Sequence, residues 1–165
     1  MMADGGIIPN ADNARLFRDA LGRFATGVTV VTIMGPDGPM GFTANSFSSL
    51  SLDPPLVLWS PARSSSRFAQ FAAAEHYAIH VLGQAQTDWP ARFARGGAGF
   101  DGLGWHLNAE GVPVMPEALS RFDCRRHATH DGGDHLIIVG EVLRLALEEG
   151  EPLVFAKGRF GGFTG

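Results

Sequence analysis

A single cysteine, Cys124, leaves no partner for an internal disulfide and too few thiolates for a metal cluster. Lysine is equally scarce: Lys157 stands alone among 13 basic residues, and Arg supplies the rest. No basic run occurs and the formal net charge is −4, so nucleic acid is not an expected partner. No apolar run approaches the ~18 residues needed to cross a bilayer, so no membrane span is expected. The opening MMADGGIIPNADN has neither the basic region nor the apolar stretch of a secretory signal. A soluble, cytoplasmic protein is the expectation. No G-x-S-x-G elbow, Walker loop or βαβ rhythm is present, which disfavours serine hydrolases, P-loop NTPases and Rossmann dehydrogenases. His76, His80, His106, His127 and His130 show no ligand spacing backed by carboxylates. A strand would point His127 and His130 to opposite faces, so no metal is expected.

What the sequence does carry is core. A hydrophobic content of 45% with 18% charged residues, over 165 residues, suits a globular chain able to bury a core. Residues 1–10 read as a flexible arm and 11–165 as one domain. Asp12 or Asn13 can cap a helix carrying Leu16, Phe17, Ala20, Leu21 and Phe24 at helical spacing, stopping by Gly27. Val28 to Ile33 is a β-branched run ending in the hairpin signal Gly35-Pro36-Asp37-Gly38, and Met40 to Phe47 pairs back. Asp53-Pro54-Pro55 forces a break. Leu56–Trp59, Tyr77–Leu82, Ala118–Thr129, His135–Leu147 and Leu153–Phe155 read as further strands. Short helices are expected from Ser64 and over Thr87–Ala94, and a loop over Gly96–Gly104. The tally of about six strands, joined by hairpins and helical excursions, favours an antiparallel barrel.

Three clusters carry chemistry. Thr43, Ala44, Asn45, Ser46, Ser48, Ser49 and Ser51 make a strand edge that is small and polar, where bulky side chains would ordinarily stand. Such an edge lets a flat polar heterocycle approach, with Phe42 and Phe47 turned inward; a solvent-facing strand end is the plainer reading. Ser64, Ser65 and Ser66 with Arg67 open an expected helix, and hydroxyls, free N–H groups and a guanidinium there suit a phosphate. One serine would satisfy a cap, so three point further. Gly133-Asp134-His135 places a histidine at a tight turn before the buried strand LIIVGEV.

FRDALGRFATGVTVVT, GFTANSFSSLSLDPPLVLWS, RSSSRF, GGDHLIIVGEV and PLVFAKGRF, in that order, resemble the short-chain NAD(P)H:flavin oxidoreductases, from about Phe17 to Phe160. These are the flavin reductase-like proteins that serve two-component monooxygenases. The resemblance implies a mainly β fold, an antiparallel Greek-key split β-barrel with short peripheral helices. It also implies a homodimer and a monooxygenase partner. The cofactors would be FMN or FAD, with NADH or NADPH as electron donor. Thr43, Ala44, Asn45 and Ser46 would meet the isoalloxazine rim with Ser51 nearby. Ser60, Arg63, Ser64, Ser65, Ser66 and Arg67 would hold the ribityl chain and phosphate. His135 would lie beside the nicotinamide as the catalytic residue, in a positioning or electrostatic role, with Phe160 and Phe163 as nicotinamide contacts. The family often carries Tyr where this chain has Phe160, which keeps the aromatic surface and loses a hydroxyl. Reduction of a metal or corrinoid acceptor, or flavin carriage without turnover, are the alternatives.

Overall fold

Val30, Val31 and Ile33 show how one strand serves two cores. Side chains alternate across a strand, so Val31 and Ile33 pack with Trp59, Phe71, Tyr77 and Ile79, while Val28 and Val30 pack with Trp89, Phe93, Met115 and Leu153. The computed structural model describes residues 5–96 and 98–165. Residues 1–4 of the expected arm and Gly97 of the expected loop lie outside the described residues.

The strands are β1 (Thr26–Gly27), β2 (Thr29–Gly35), β3 (Gly38–Ala44), β4 (Ser48–Leu52), β5 (Pro55–Trp59), β6 (His76–Val81), β7 (His106–Leu107), β8 (Pro113–Val114), β9 (Ser120–Gly132), β10 (His135–Leu147), β11 (Leu153–Ala156) and β12 (Arg159–Gly162). The helices are α1 (Ala14–Leu21), α2 (Phe68–Ala73) and α3 (Trp89–Arg92). Seven strands form one antiparallel sheet in the order β3-β2-β6-β9-β10-β5-β4. β1, β11 and β12 form a second sheet, and β7 pairs with β8.

The expected split barrel follows from one connection. β3 and β4 are opposite edges of the seven-stranded sheet, yet only Asn45, Ser46 and Phe47 join them. Laid flat, six inter-strand gaps would separate those edges by about 29 Å. Four Cα steps from Ala44 to Ser48 reach about 14 Å at most. The sheet therefore curls until its edges nearly meet, leaving a split where the linker crosses.

Several local expectations shift. The first cap is Asn10, whose side chain accepts from the N–H groups of Asp12 and Asn13 and opens a 3₁₀ turn; Asn13 makes no side-chain cap to α1. Phe24 lies beyond α1 and is exposed, and α1 buries none of its residues. The strand expected over Met40–Phe47 ends at Ala44, because the linker must turn across the split. Ser64–Ser66 form a turn, and α2 starts only at Phe68. Thr87 does not cap α3; its hydroxyl donates back to Gln84 O at 2.7 Å. The glycine-rich tail expected after Phe155 folds back as β12. With β1, β4, β7 and β8 also present, about six expected strands become twelve among the described residues.

Candidate functional site

Thr43 stands between two cavities. On one flank a cleft of about 150 Å³ is lined by Val28, Thr43, Ala44, Asn45, Phe155 and Phe160. On the other, a pocket of about 370 Å³ is lined by Thr43, Ala62, Ser64, Ser65, Ser66, Arg67 and the 94–96 segment, among others. The structure thus brings the small polar edge and the serine cluster, twenty residues apart, to two sides of one side chain.

The cleft is walled by aromatics. The β11–β12 pairing sets Phe155 opposite Phe160, with ring centroids 5.1 Å apart. Asn45 is exposed and makes no side-chain hydrogen bond among the described residues, so its amide is free. Thr43 is already engaged. Its N–H donates to Phe93 O at 3.3 Å and its hydroxyl to Pro90 O at 2.8 Å, so α3 and its C-terminal end cover the edge expected to be open. Ala44 O accepts from the Thr29 hydroxyl at 2.7 Å.

Arg67 dominates the second pocket. It is buried, and Nη1 donates to Gly41 O and Phe93 O at 2.7 Å each, while Nη2 donates to Ala94 O at 3.0 Å. Its guanidinium lies 4.5 Å from the Phe42 ring centroid. No carboxylate pairs with it among the described residues, and Nε is buried without a partner. Burial lowers its pKa, the direction a solvent-starved cation must take. Arg67 therefore shapes the wall and leaves an unneutralised positive charge behind three hydroxyls.

The other expected site residues fall around this pair of cavities. Ser46 and Ser60 hydrogen-bond to one another across the split. Ser51, on β4, lines neither cavity. Arg63 turns to the β9–β10 turn, with Nη2 to Asp131 at 2.9 Å and Nε to Gly133 O at 3.1 Å. That contact docks the His135 turn beside Ala62, which bridges to His135 and lines the serine pocket. The half-exposed His135 sets Nδ1 2.7 Å from the Asp134 carboxylate. His135 holds that carboxyl below its usual range, so the carboxylate accepts from Nδ1–H and leaves Nε2 free. Phe163 is exposed and lines neither cavity. Sequence reasoning missed Phe155 as a wall, although its alternation with Val154 in a short apolar strand was visible. It also missed Phe42 and Phe93 as the partners that position Arg67.

A family model described as flavin reductase like domain matches residues 21–164. This chain is 60% identical to an FMN reductase (NADH) from Agrobacterium fabrum, over 95% of this chain and 90% of the relative. The chain belongs to the flavin reductase-like family. A flavin-dependent monooxygenase reductase subunit from Rhodococcus jostii is 37% identical, over 96% of this chain and 83% of that one. An NADH:FAD oxidoreductase from Streptomyces globisporus, solved with NAD and FAD fragments, superposes with a TM-score of 0.88. The two chains share 35% identity, with 96% and 98% covered. That neighbour shares the fold of this chain. Among the described residues of this chain, no helix is long and apolar enough to cross a membrane.

Proposed function

We propose that this chain is a cytoplasmic NAD(P)H-dependent flavin reductase, moving a hydride from NADH or NADPH to FMN or FAD. The reduced flavin would go to a flavin-dependent monooxygenase, as the names of several relatives suggest. What supports this reading most is the position of Thr43, between an aromatic-walled cleft and a pocket backed by an uncompensated cation. The residues present fit a flavin. Ser64, Ser65 and Ser66 would hold its phosphate, backed by the charge of Arg67, whose Nε lacks a partner. Asn45 offers a free amide to the rim of a ring lying against Phe155 and Phe160.

The flavin and nicotinamide supply the redox chemistry when bound; the chain supplies position and exclusion of water. Ala44 leaves room for close approach. Thr43, with both donors engaged, serves as a fixed wall. Ser46 and Ser60 hold the linker that carries Asn45. Arg63 fixes the turn that carries His135. With Nδ1–H held by Asp134, His135 would offer Nε2 as a positioning residue on the serine-pocket side, beside Ala62. A homodimer is part of this proposal, because Leu16, Phe17, Leu21, Ile7, Ile8 and Phe24 leave an apolar surface exposed along and beside α1.

The test is steady-state oxidation of NADH and NADPH by purified protein with FMN, FAD or riboflavin as acceptor. Flavin-dependent oxidation is expected. Intact flavin binding without oxidation would favour a carrier instead.

A further inference from the structure

Arg18, Arg23 and Lys157 face another cavity, of about 560 Å³, between the end of α1 and the β11–β12 turn. Among the described residues Asp19 is the only carboxylate lining it, so its charge runs opposite to the chain's net −4. None of the three cations makes an ion pair among the described residues. Phe155 lines this cavity as well as the aromatic cleft.

Lys157 adds an independent observation. It is the only non-glycine residue with a positive φ among the described residues, at 51°. With Gly158 at φ 74° it makes the two-residue turn between β11 and β12, where Asn, Asp or Gly is the least costly choice. Its N–H donates to Gly22 O at 2.7 Å, which fixes the turn against the end of α1. The chain's one lysine thus occupies a backbone position that favours other residues, with its side chain on the cavity. Strain retained at such a position points to a use for the side chain.

We propose that this basic cavity takes the phosphate groups of the nicotinamide dinucleotide, with its nicotinamide end passing Phe155 into the aromatic cleft. The inference rests on the flavin reductase reading. A dinucleotide brings an anionic pyrophosphate to a net-negative protein, so local cations are needed to receive it. Thr43 joins the serine pocket to the cleft, and Phe155 joins the cleft to this cavity. Two anion-binding ends therefore flank one ring-binding centre, which keeps the phosphates of the two cofactors apart. The adenylate half of FAD carries the same phosphate chemistry, and the test separates the two.

The experiment compares wild type with Lys157→Asn and with Lys157→Asn/Arg23→Gln at saturating FMN. Asn suits a left-handed turn, so the melting temperature of Lys157→Asn holds or rises. Each charge removed lowers kcat/KM for NADH about three- to tenfold, mainly through KM. Reduced nicotinamide riboside, which has no phosphate, shows no comparable loss. The salt dependence of KM for NADH also flattens. An unchanged kcat/KM for NADH in the double variant, beside an active wild type, overturns the proposal. Weakened FAD binding with NADH kinetics intact assigns the cavity to the flavin adenylate and overturns it too. If the wild type oxidises no NADH with any flavin, the flavin reductase reading falls. Calorimetric binding of NAD⁺ to flavin-loaded protein then decides the cavity alone: weaker binding by the double variant supports it, and equal affinity overturns it.

Discussion

Ser46 and Ser60 exchange two hydrogen bonds across the split in the barrel: Ser46 Oγ accepts from Ser60 N–H at 2.9 Å and donates to Ser60 O at 3.3 Å. The linker from β3 to β4 is thereby tied to the end of β5. Ser46→Ala would leave two part-buried backbone groups of Ser60 unpartnered, costing about 1–3 kcal/mol. Because Asn45 rides on the same linker, flavin affinity should fall along with stability. Thermal melts and fluorescence titration with FMN check both; a variant with wild-type values in each would remove the linker from the site.

Arg67 makes a sharper distinction. Arg67→Met keeps an unbranched side chain of useful length but leaves the carbonyls of Gly41, Phe93 and Ala94 without their donor. Leaving buried acceptors unsatisfied costs about 1–3 kcal/mol. In variant that remains folded, FMN binding should weaken far more than riboflavin binding, since only FMN carries a phosphate. Equal losses for the two ligands would show that Arg67 acts through the fold alone.

Gly41 sets the distance between β3 and Phe93. A Cβ at this position would collide with the Phe93 ring, whose Cγ would lie 3.0 Å away. Gly41→Ala should displace Phe93 and, with it, two of the carbonyl groups that hold Arg67 and the serine pocket. Overpacking of this kind costs about 1–3 kcal/mol. A denaturant midpoint measured beside the FMN dissociation constant should show loss in both.

His80 predicts an acid-sensitive fold. It is fully buried, Met115 N–H donates to Nε2 at 3.0 Å, and Nδ1–H therefore donates to Val30 O at 3.0 Å. Burial pushes the imidazole down to about 4 from its ordinary 6.5. The unfolded chain takes up the proton first, so stability present above pH 6.5 is lost as pH falls toward 4, on the order of 3 kcal/mol in all. Urea unfolding at pH 7 and pH 5 measures it. His80→Gln, which can still donate to Val30 and accept from Met115 without titrating, should flatten the pH dependence whatever its absolute stability.

Much of this was legible in local pattern. β-Branched runs and the Gly35–Gly38 turn located β2 and β3, and His135–Leu147 was bounded correctly because a turn rich in glycine and aspartate precedes a long apolar run. Short elements were not legible. β12, with Arg159, Phe160 and two glycines, carries too little apolar alternation to read as a strand, and it forms because β11 offers it a partner. The apolar spacing of Leu16, Phe17 and Leu21 gave the helix but not its exposure, since periodicity marks a face without saying what covers it.

For the site, the sequence by itself determined the residue types that gather there: small polar groups from Thr43 to Ser46, hydroxyls at Ser64–Ser66, and a histidine fixed at Gly133-Asp134. Those are local properties of composition and turn chemistry. Only the tertiary structure decided which of them remain available. Ser46 and Ser60 satisfy one another, Arg63 is drawn to the Asp131–Asp134 turn, and Thr43 gives its donors to α3 and its C-terminal end. Phe155, Arg23 and Lys157 gain their places from pairings between segments more than a hundred residues apart. Hydrogen-bonding capacity is local, but its consumption depends on which distant backbone the curled sheet brings within 3 Å.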